Sequence, residues 1–129
     1  IAVHSLSHLE SADRKGYADQ VAAVPSLPRE VAVTLASDAD SDVARLVLKL
    51  SPVLSDSDLA AIAVSQSQAH LIAIAERARL SEGLTDILVQ RGDRDVLQTV
   101  SANEGASFSE GGFDRLLQRG GDDAIVAGA

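Results

Sequence analysis

The sequence contains no cysteine, methionine or tryptophan, and its aromatic residues are one tyrosine and two phenylalanines. Without cysteine the chain has no disulfides, no thiolate metal ligands and no cysteine nucleophile. With so few aromatic rings, it offers no basis for nucleic-acid base stacking or for an aromatic cage around a ligand. We therefore expect neither a cofactor nor a metal ion.

Positive charge is also scarce, since 11 lysines and arginines stand against 19 acidic residues and give a net charge of −8. Such a surface repels a phosphate backbone, so we do not expect a nucleic-acid partner. Apolar stretches such as residues 71–75 are far shorter than the roughly 20 residues of a membrane span, and the N-terminus lacks signal-peptide features. We expect a cytoplasmic protein with no membrane partner. The chain begins with Ile1 and stops inside an apparent helix, so we also expect a fragment of a longer protein.

Internal repetition is the strongest feature that the sequence does have. Four apolar anchors follow one another at separations of 27, 26 and 28 residues: Leu27, Leu54, Leu80 and Phe108. The segments that begin at residues 35, 62, 88 and 116 align without gaps and share one column: Val43, His70, Val96 and Ala124. Repetition at this period is typical of repeat proteins, in which each unit is one supersecondary element.

Each unit reads as two short helices joined by turns. The first helices are predicted at residues 28–37, 55–65, 81–91 and 109–119, with Pro28, Ser55, Ser81 and Ser109 at their starts. The second helices are predicted to open at Asp40, Ser67, Asp93 and Asp122. Gly92 and Gly120 suit left-handed C-caps of the third and fourth first helices, and Phe108 and Phe113 fall at core positions of the repeat.

Helices of about ten residues are unstable alone in water, so each must bury its apolar stripe against neighbouring units. We predict an all-α fold, an α-solenoid of helix-turn-helix repeats. Residues 1–129 form one domain, with four repeats over residues 25–129 and an irregular or partial repeat over residues 1–24.

Several ordered motifs resemble a bacterial family with HEAT-like repeats, the domain-of-unknown-function family twenty-three thirty-six. The motifs are Ser51-Pro52-Val53-Leu54-Ser55-Asp56, Ala69-His70-Leu71, Leu84-Thr85-Asp86, Gln90-Arg91-Gly92-Asp93 and Gly105-Ala106-Ser107-Phe108-Ser109. They span roughly residues 25–120, although the family often has proline where Glu104 stands. The resemblance implies a helical-repeat fold in a longer bacterial chain and implies no activity.

Three motifs with possible chemistry have simpler structural explanations. Asp38, Asp40 and Asp42 alternate like the start of a calcium loop, but Val43 replaces its obligatory glycine, so we favour helix capping. His4 and His8 have a spacing that suits zinc, and we favour solvent-facing histidines there. The segment 105–109 half-matches a nucleophile elbow without its closing glycine. No catalytic constellation can be named, so we do not expect an enzyme.

The remaining candidates are cationic or polar side chains at repeat positions that suit a contact surface. They are Arg45, Lys49, His70, Arg77, Arg79, Arg91, Arg94 and Asn103. For His70 the alternatives are a hydrogen-bonded buried histidine and a ligand contact. For the arginines of the second half, including Arg115 and Arg119, the alternatives are a docking strip and ion pairs with Asp86, Asp93, Asp95 and Asp114.

Two functions follow from these alternatives. The leading hypothesis is a non-catalytic scaffold that binds another protein in bacterial regulation, because a solenoid offers an extended surface. The alternative is a regulatory module that binds a small anionic metabolite or nucleotide through Arg77, Arg79 and Arg91. Uncapped apolar ends of the solenoid also predict a homo-oligomer.

Overall fold

The fold was analysed in a computed structural model that describes residues 10–123. This part of the chain contains eight α-helices and no strand, which confirms the all-helical prediction. The helices are α1 (Ser11–Val21), α2 (Arg29–Ala36), α3 (Ser41–Leu50), α4 (Asp56–Ser65), α5 (Gln68–Ala75), α6 (Glu82–Arg91), α7 (Arg94–Ala102) and α8 (Glu110–Asp123). None of these helices combines the length and apolar composition that crossing a membrane requires.

The helices pack in two alternating sets. In one set α1 contacts α3, α3 contacts α5 and α5 contacts α7; in the other, α4 contacts α6 and α6 contacts α8. The pairs α2–α3, α4–α5 and α6–α7 also contact each other, and each is joined by a short turn. Each pair is therefore a helical hairpin, and α1 lies where the second helix of a preceding hairpin would lie.

The core follows the apolar columns of the sequence. Val43 and Val96 are fully buried and His70 is 1% exposed, whereas Ala124 of the same column lies outside the described residues. Of the anchors, Leu27, Leu54 and Leu80 are buried and Phe108 is half-buried. Burying a leucine side chain stabilises a fold by about 1.5–3 kcal/mol. Contacts between hairpins therefore supply the stability that helices of 8–14 residues lack alone.

Local capping chemistry sets the helix starts. Asp40 accepts a hydrogen bond from the amide of Asp42, Ser81 from Leu84 and Asp93 from Val96. Ser55 and Asp58 form a reciprocal capping box at the start of α4. These helices begin within one residue of the predicted bounds.

Two local predictions were wrong. Gly92 has φ −67° and ψ 145°, an extended conformation, and it is glycine because a Cβ there would lie 2.4 Å from Val96 Cγ1. Helix α8 continues past Gly120 to Asp123, so Asp122 does not open a second helix. A glycine C-cap needs the chain to leave the helix, and the Gly120-Gly121 pair does not force it to do so.

Candidate interaction surface

The C-terminal ends of α3, α5 and α7 lie side by side. Arg77, just after α5, donates to the carbonyl oxygens of Leu48 and Ser51 at the end of α3. Asn103, just after α7, donates from Nδ2 to the carbonyl oxygens of Ala75 and Arg77, each at 2.8 Å. The last carbonyls of a helix have no partner within it, and here a side chain from the next hairpin caps the ends of α3 and α5.

The first helices of the hairpins end in the same way. Arg91 donates to the carbonyl oxygen of Ala63 near the end of α4. Arg119 donates from Nη1 to the carbonyl oxygens of Val89 at 2.8 Å and Gly92 at 2.7 Å, at the end of α6. A guanidinium also suits the partial negative charge at a helix C-terminus. Arg91 and Arg119, each preceded by glutamine and followed by glycine in the sequence, are therefore structural caps between hairpins.

Arg77 is half-buried. Its burial lowers the pKa of the guanidinium, and the nearby Asp56 carboxylate opposes that shift. Arginine starts from a pKa so high that it stays charged at any physiological pH. Its charged group is therefore held against the end of α3, and little of it faces solvent.

The predicted ion pairs of the second-half arginines are wrong. Within residues 10–123 the ion pairs are Arg14 with Asp38, Lys15 with Asp19, and Arg29 with Asp58. In that part of the chain, no arginine after residue 76 pairs with Asp86, Asp93, Asp95 or Asp114. Backbone carbonyls take their place for Arg77, Arg91 and Arg119, which leaves Arg79 and Arg94 exposed.

His70 is a buried hydrogen-bonded residue. Its Nε2 lies 2.7 Å from the carbonyl oxygen of Asp38, and its Nδ1 lies 2.7 Å from Ser67 Oγ. A carbonyl only accepts, so Nε2 donates to Asp38, and Nδ1 shares a hydrogen bond with the Ser67 hydroxyl. Nε2 thus ties the start of α5 to the preceding α2–α3 turn, and Nδ1 holds the N-cap residue Ser67 of α5 itself. These contacts support the structural interpretation of His70 over a ligand contact.

The alternating aspartates of the α2–α3 turn act as helix-capping groups. Asp38 Oδ1 accepts from the amide of Asp40 at 2.9 Å, and Asp40 Oδ1 accepts from the amide of Asp42 at 3.0 Å. Asp38 Oδ2 lies 2.7 Å from Arg14 Nε. Among the described residues no cluster of three or more histidines or acidic side chains is arranged to hold a metal. The His4 and His8 pair lies outside the described residues.

Two open clefts adjoin at the row of second-helix ends. The first has a volume of about 510 Å³ and the second about 470 Å³, and both are lined by Lys49 and Glu76. Besides these two residues, the first is lined by Ala75, Gln98, Thr99, Ala102 and Asn103. The second is also lined by Leu50, Pro52, Arg77, Ala78 and Arg79. We call the combined lining of both clefts the Lys49 edge.

The structure divides the eight predicted surface residues. Lys49, Arg77, Arg79 and Asn103 come together in the Lys49 edge. Arg45 is exposed on α3 one turn before Lys49 and lines neither cleft. The remaining three, His70, Arg91 and Arg94, lie where first helices end and second helices begin, at the other end of the hairpins.

Sequence reasoning missed Leu50, Glu76 and Gln98, which also line the Lys49 edge. Leu50 is 46% exposed although it ends an apolar helix. No sequence signal marked this exposure, because Leu50 follows Val43 by seven positions and Val47 by three, a spacing that predicts the buried face of α3.

One comparison with known proteins gives a match. A family model described as an uncharacterised protein conserved in bacteria (DUF2336) matches residues 43–129. The chain belongs to this family. The match begins inside α3, at residue 43, and extends past the end of α8, so the whole Lys49 edge lies within the DUF2336 region. No curated protein and no solved structure matches the chain.

Proposed function

We propose that this DUF2336 chain is a non-catalytic helical-repeat scaffold that binds another protein through the Lys49 edge, in bacterial regulation in the cytoplasm. One observation carries the proposal. Lys49 and Arg79 make no ion pair within residues 10–123, and both stand beside the exposed Leu50. Arg77, the third cation that lines this edge, caps carbonyl groups, so Lys49 and Arg79 are the cations of the Lys49 edge that remain for a partner.

We further propose that the hairpins build a HEAT-like α-solenoid. The support is the recurrence of one contact pattern: each hairpin contacts the next, and equivalent side chains such as Arg91 and Arg119 make equivalent bonds. In such a stack each hairpin contacts its neighbours alone, and the edges of successive helices form a continuous surface. That architecture suits recognition of an extended partner.

A non-catalytic role is supported by how the polar groups are used. His70 has both ring nitrogens in structural hydrogen bonds, and Ser109 donates to Asp86 while it accepts from the amide of Gly112. Both side chains are already held in these bonds, so neither is free to act as a general base or a nucleophile. We therefore propose a binding function that needs no cofactor.

The alternative, a site for a small anionic metabolite or nucleotide, has less support. Arg77 and Arg91 bond to backbone carbonyls at opposite ends of the hairpins, so they do not converge with Arg79 on one ligand. A thermal-shift screen of nucleotides and organic phosphates tests it. A ligand-dependent rise in melting temperature would favour the alternative, because binding to the folded state raises its stability.

A pull-down tests the scaffold with the chain as bait in lysate of the bacterium that encodes it. The test bait carries Lys49→Glu and Arg79→Glu, and the matched control carries Arg94→Glu and Arg115→Glu, two exposed arginines outside the Lys49 edge. We expect proteins that the unmodified and control baits retain and the test bait loses. Equal retention by all three baits, or none by any, would overturn the proposal.

A further inference from the structure

The second cleft of the Lys49 edge has an apolar floor. Leu50 is 46% exposed, and Pro52 and Ala78 are also exposed beside it. An isolated exposed leucine is ordinary, but one that lies in a cleft with two further apolar side chains marks a seat for an apolar group. The volume of about 470 Å³ admits one large side chain together with its backbone.

The charges around this floor are mainly positive. Lys49, Arg77 and Arg79 line the cleft with a single carboxylate, Glu76. The guanidinium of Arg77 donates to carbonyl oxygens at the end of α3. Lys49 and Arg79 make neither an ion pair nor a hydrogen bond with other described side chains. A local cationic excess on a chain of net charge −8 complements an acidic ligand and repels a basic one.

The first cleft extends the surface past Glu76. Gln98 is exposed there, and its side-chain amide makes no hydrogen bond within the described residues, so that amide is available to an extended backbone. Asn103 is fully used, since its Nδ2 caps α5 and its Oδ1 accepts from the amide of Gly105. The two clefts together therefore offer an apolar seat, two cations and one free amide along one edge.

We propose that the Lys49 edge binds a short acidic segment of a partner protein that carries one large apolar residue. The apolar side chain rests on Leu50, Pro52 and Ala78, and flanking carboxylates pair with Lys49 and Arg79. This inference rests on the proposed scaffold function and adds the chemistry of the partner. Nucleic acid is disfavoured by the overall charge, and an uncharged or basic segment by the two unpaired cations.

A library of random dodecapeptides displayed on phage, selected on the immobilised intact chain, tests the inference. We expect the recovered peptides to be enriched in aspartate and glutamate around a leucine, isoleucine or phenylalanine. A synthetic copy of the most enriched peptide, labelled with fluorescein, then gives affinities by fluorescence anisotropy. Its binding should shift the backbone amide resonances of Leu50 and Arg79 in NMR spectra.

The variants separate charge from apolar contact. Lys49→Glu with Arg79→Glu should weaken the peptide by about tenfold or more, and Leu50→Ser should weaken it while leaving the salt dependence unchanged. Arg94→Glu with Arg115→Glu should leave the affinity as it is. Lys49 is half-buried and the other changed residues are exposed, and circular dichroism checks that each variant is folded.

Two kinds of result would overturn the inference. Recovery of basic or uncharged peptides, or of no peptide, would contradict an acidic partner. A peptide affinity that does not change with Lys49→Glu and Arg79→Glu would contradict binding at the Lys49 edge. If lysate proteins are still lost by the Lys49→Glu, Arg79→Glu bait in the pull-down, the scaffold function is supported and the partner segment has a different chemistry. If all three baits retain the same lysate proteins equally, the proposed scaffold function itself is overturned.

Discussion

Arg77 Nη2 lies 2.9 Å from the carbonyl oxygen of Ser51, a residue with no exposed surface that lies 26 positions earlier in the chain. The bond joins the end of α5 to the end of α3. A charged donor to a buried carbonyl is among the stronger hydrogen bonds in proteins, and leaving the carbonyl unpaired costs its desolvation. This contact makes one hairpin depend on the next.

Removal of the Arg77 donors should destabilise the fold. Arg77→Met keeps much of the apolar stem but leaves the carbonyls of Leu48 and Ser51 without their donor. We expect a loss of about 2 kcal/mol in the free energy of unfolding, measured by urea denaturation. Arg79→Met removes the same charge from an exposed site and should change that free energy by less than about 0.5 kcal/mol. Equal losses in both variants would contradict the capping role.

Much of this pattern was accessible from sequence because helix caps are local. Ser55, Ser81 and Asp93 start helices where their side chains predicted, since the hydroxyl or carboxylate bonds to an amide two or three residues later. The same locality explains the error at Gly92. Position 92 needs glycine because Val96 packs too close to leave room for a Cβ. The position of a glycine in the sequence does not distinguish that role from a left-handed cap.

The arginine bonds could not be predicted in the same way. Arg91 reaches a carbonyl 28 residues earlier, and an arginine at the end of a helix suits solvent, a carboxylate or a carbonyl equally well in sequence. The clue was the shared column of Arg91 and Arg119, which implied a common role without naming it. The Lys49 edge was partly predicted for a similar reason. Its cations were visible, but the exposure of Leu50 depends on how α3 is rotated in the packed fold.

The stability of the capping box in α4 should depend on pH. Burial pushes the pKa of Asp58 upward, but hydrogen bonds from the Ser55 amide, from Arg29 and from the Ser55 hydroxyl outweigh it and hold that pKa below its ordinary value of 3.8. A carboxyl whose pKa is lowered by folding stabilises the fold above its unfolded value, and this contribution is lost as the pH falls through the lower folded value. Asp58 therefore favours folding at neutral pH.

Asp58→Asn should lower the free energy of unfolding by about 1 kcal/mol at neutral pH. The difference from the unmodified chain should shrink once the pH falls below 3.8. Urea titrations at several pH values measure it. Asp56→Asn removes the same charge from an exposed position in the same turn and serves as control. A deficit of constant size across all pH values would argue against the ionised capping box.

Gly105 should tolerate no side chain. A Cβ there would lie 1.8 Å from the carbonyl oxygen of Ala78, beside the hydrogen bond that Leu80 donates to Gly105. We expect Gly105→Ala to cost about 2 kcal/mol or more in thermal or urea unfolding. Gly111→Ala is the matched control, because its Cβ meets nothing within 4 Å and alanine favours α8 by roughly 0.5–1 kcal/mol. A neutral Gly105→Ala would disprove the close approach.

The outer face of α8 should promote self-association. Phe113, which the repeat predicts to lie in the core, is 48% exposed, and Leu117, one turn later in α8, is 46% exposed. Their counterparts in α6, Thr85 and Val89, have no exposed surface. Helix α8 covers α6, but no described helix covers α8 in the same way. The prediction that Phe113 lies in the core is therefore wrong.

Light scattering across a range of concentrations measures the association. We expect the average mass to rise with concentration and Leu117→Ser to reduce that rise, because the apolar face loses area. Phe113 also packs edge-on against Phe108, so Leu117 is the cleaner position to change. Leu50→Ser, equally exposed on the Lys49 edge, should leave the mass unchanged. A monomer at every concentration would refute the prediction.

The arginine and asparagine caps all run in one direction, since Arg77, Asn103, Arg91 and Arg119 each lie after the carbonyls that they satisfy. During synthesis on the ribosome, each hairpin therefore emerges with open carbonyls that only the following hairpin completes. A ribosome that pauses between two hairpins would leave the last one unfinished. We expect proteases to cut such a nascent chain mainly at the helix ends that emerged last. Each hairpin becomes protected once the following hairpin has left the exit tunnel.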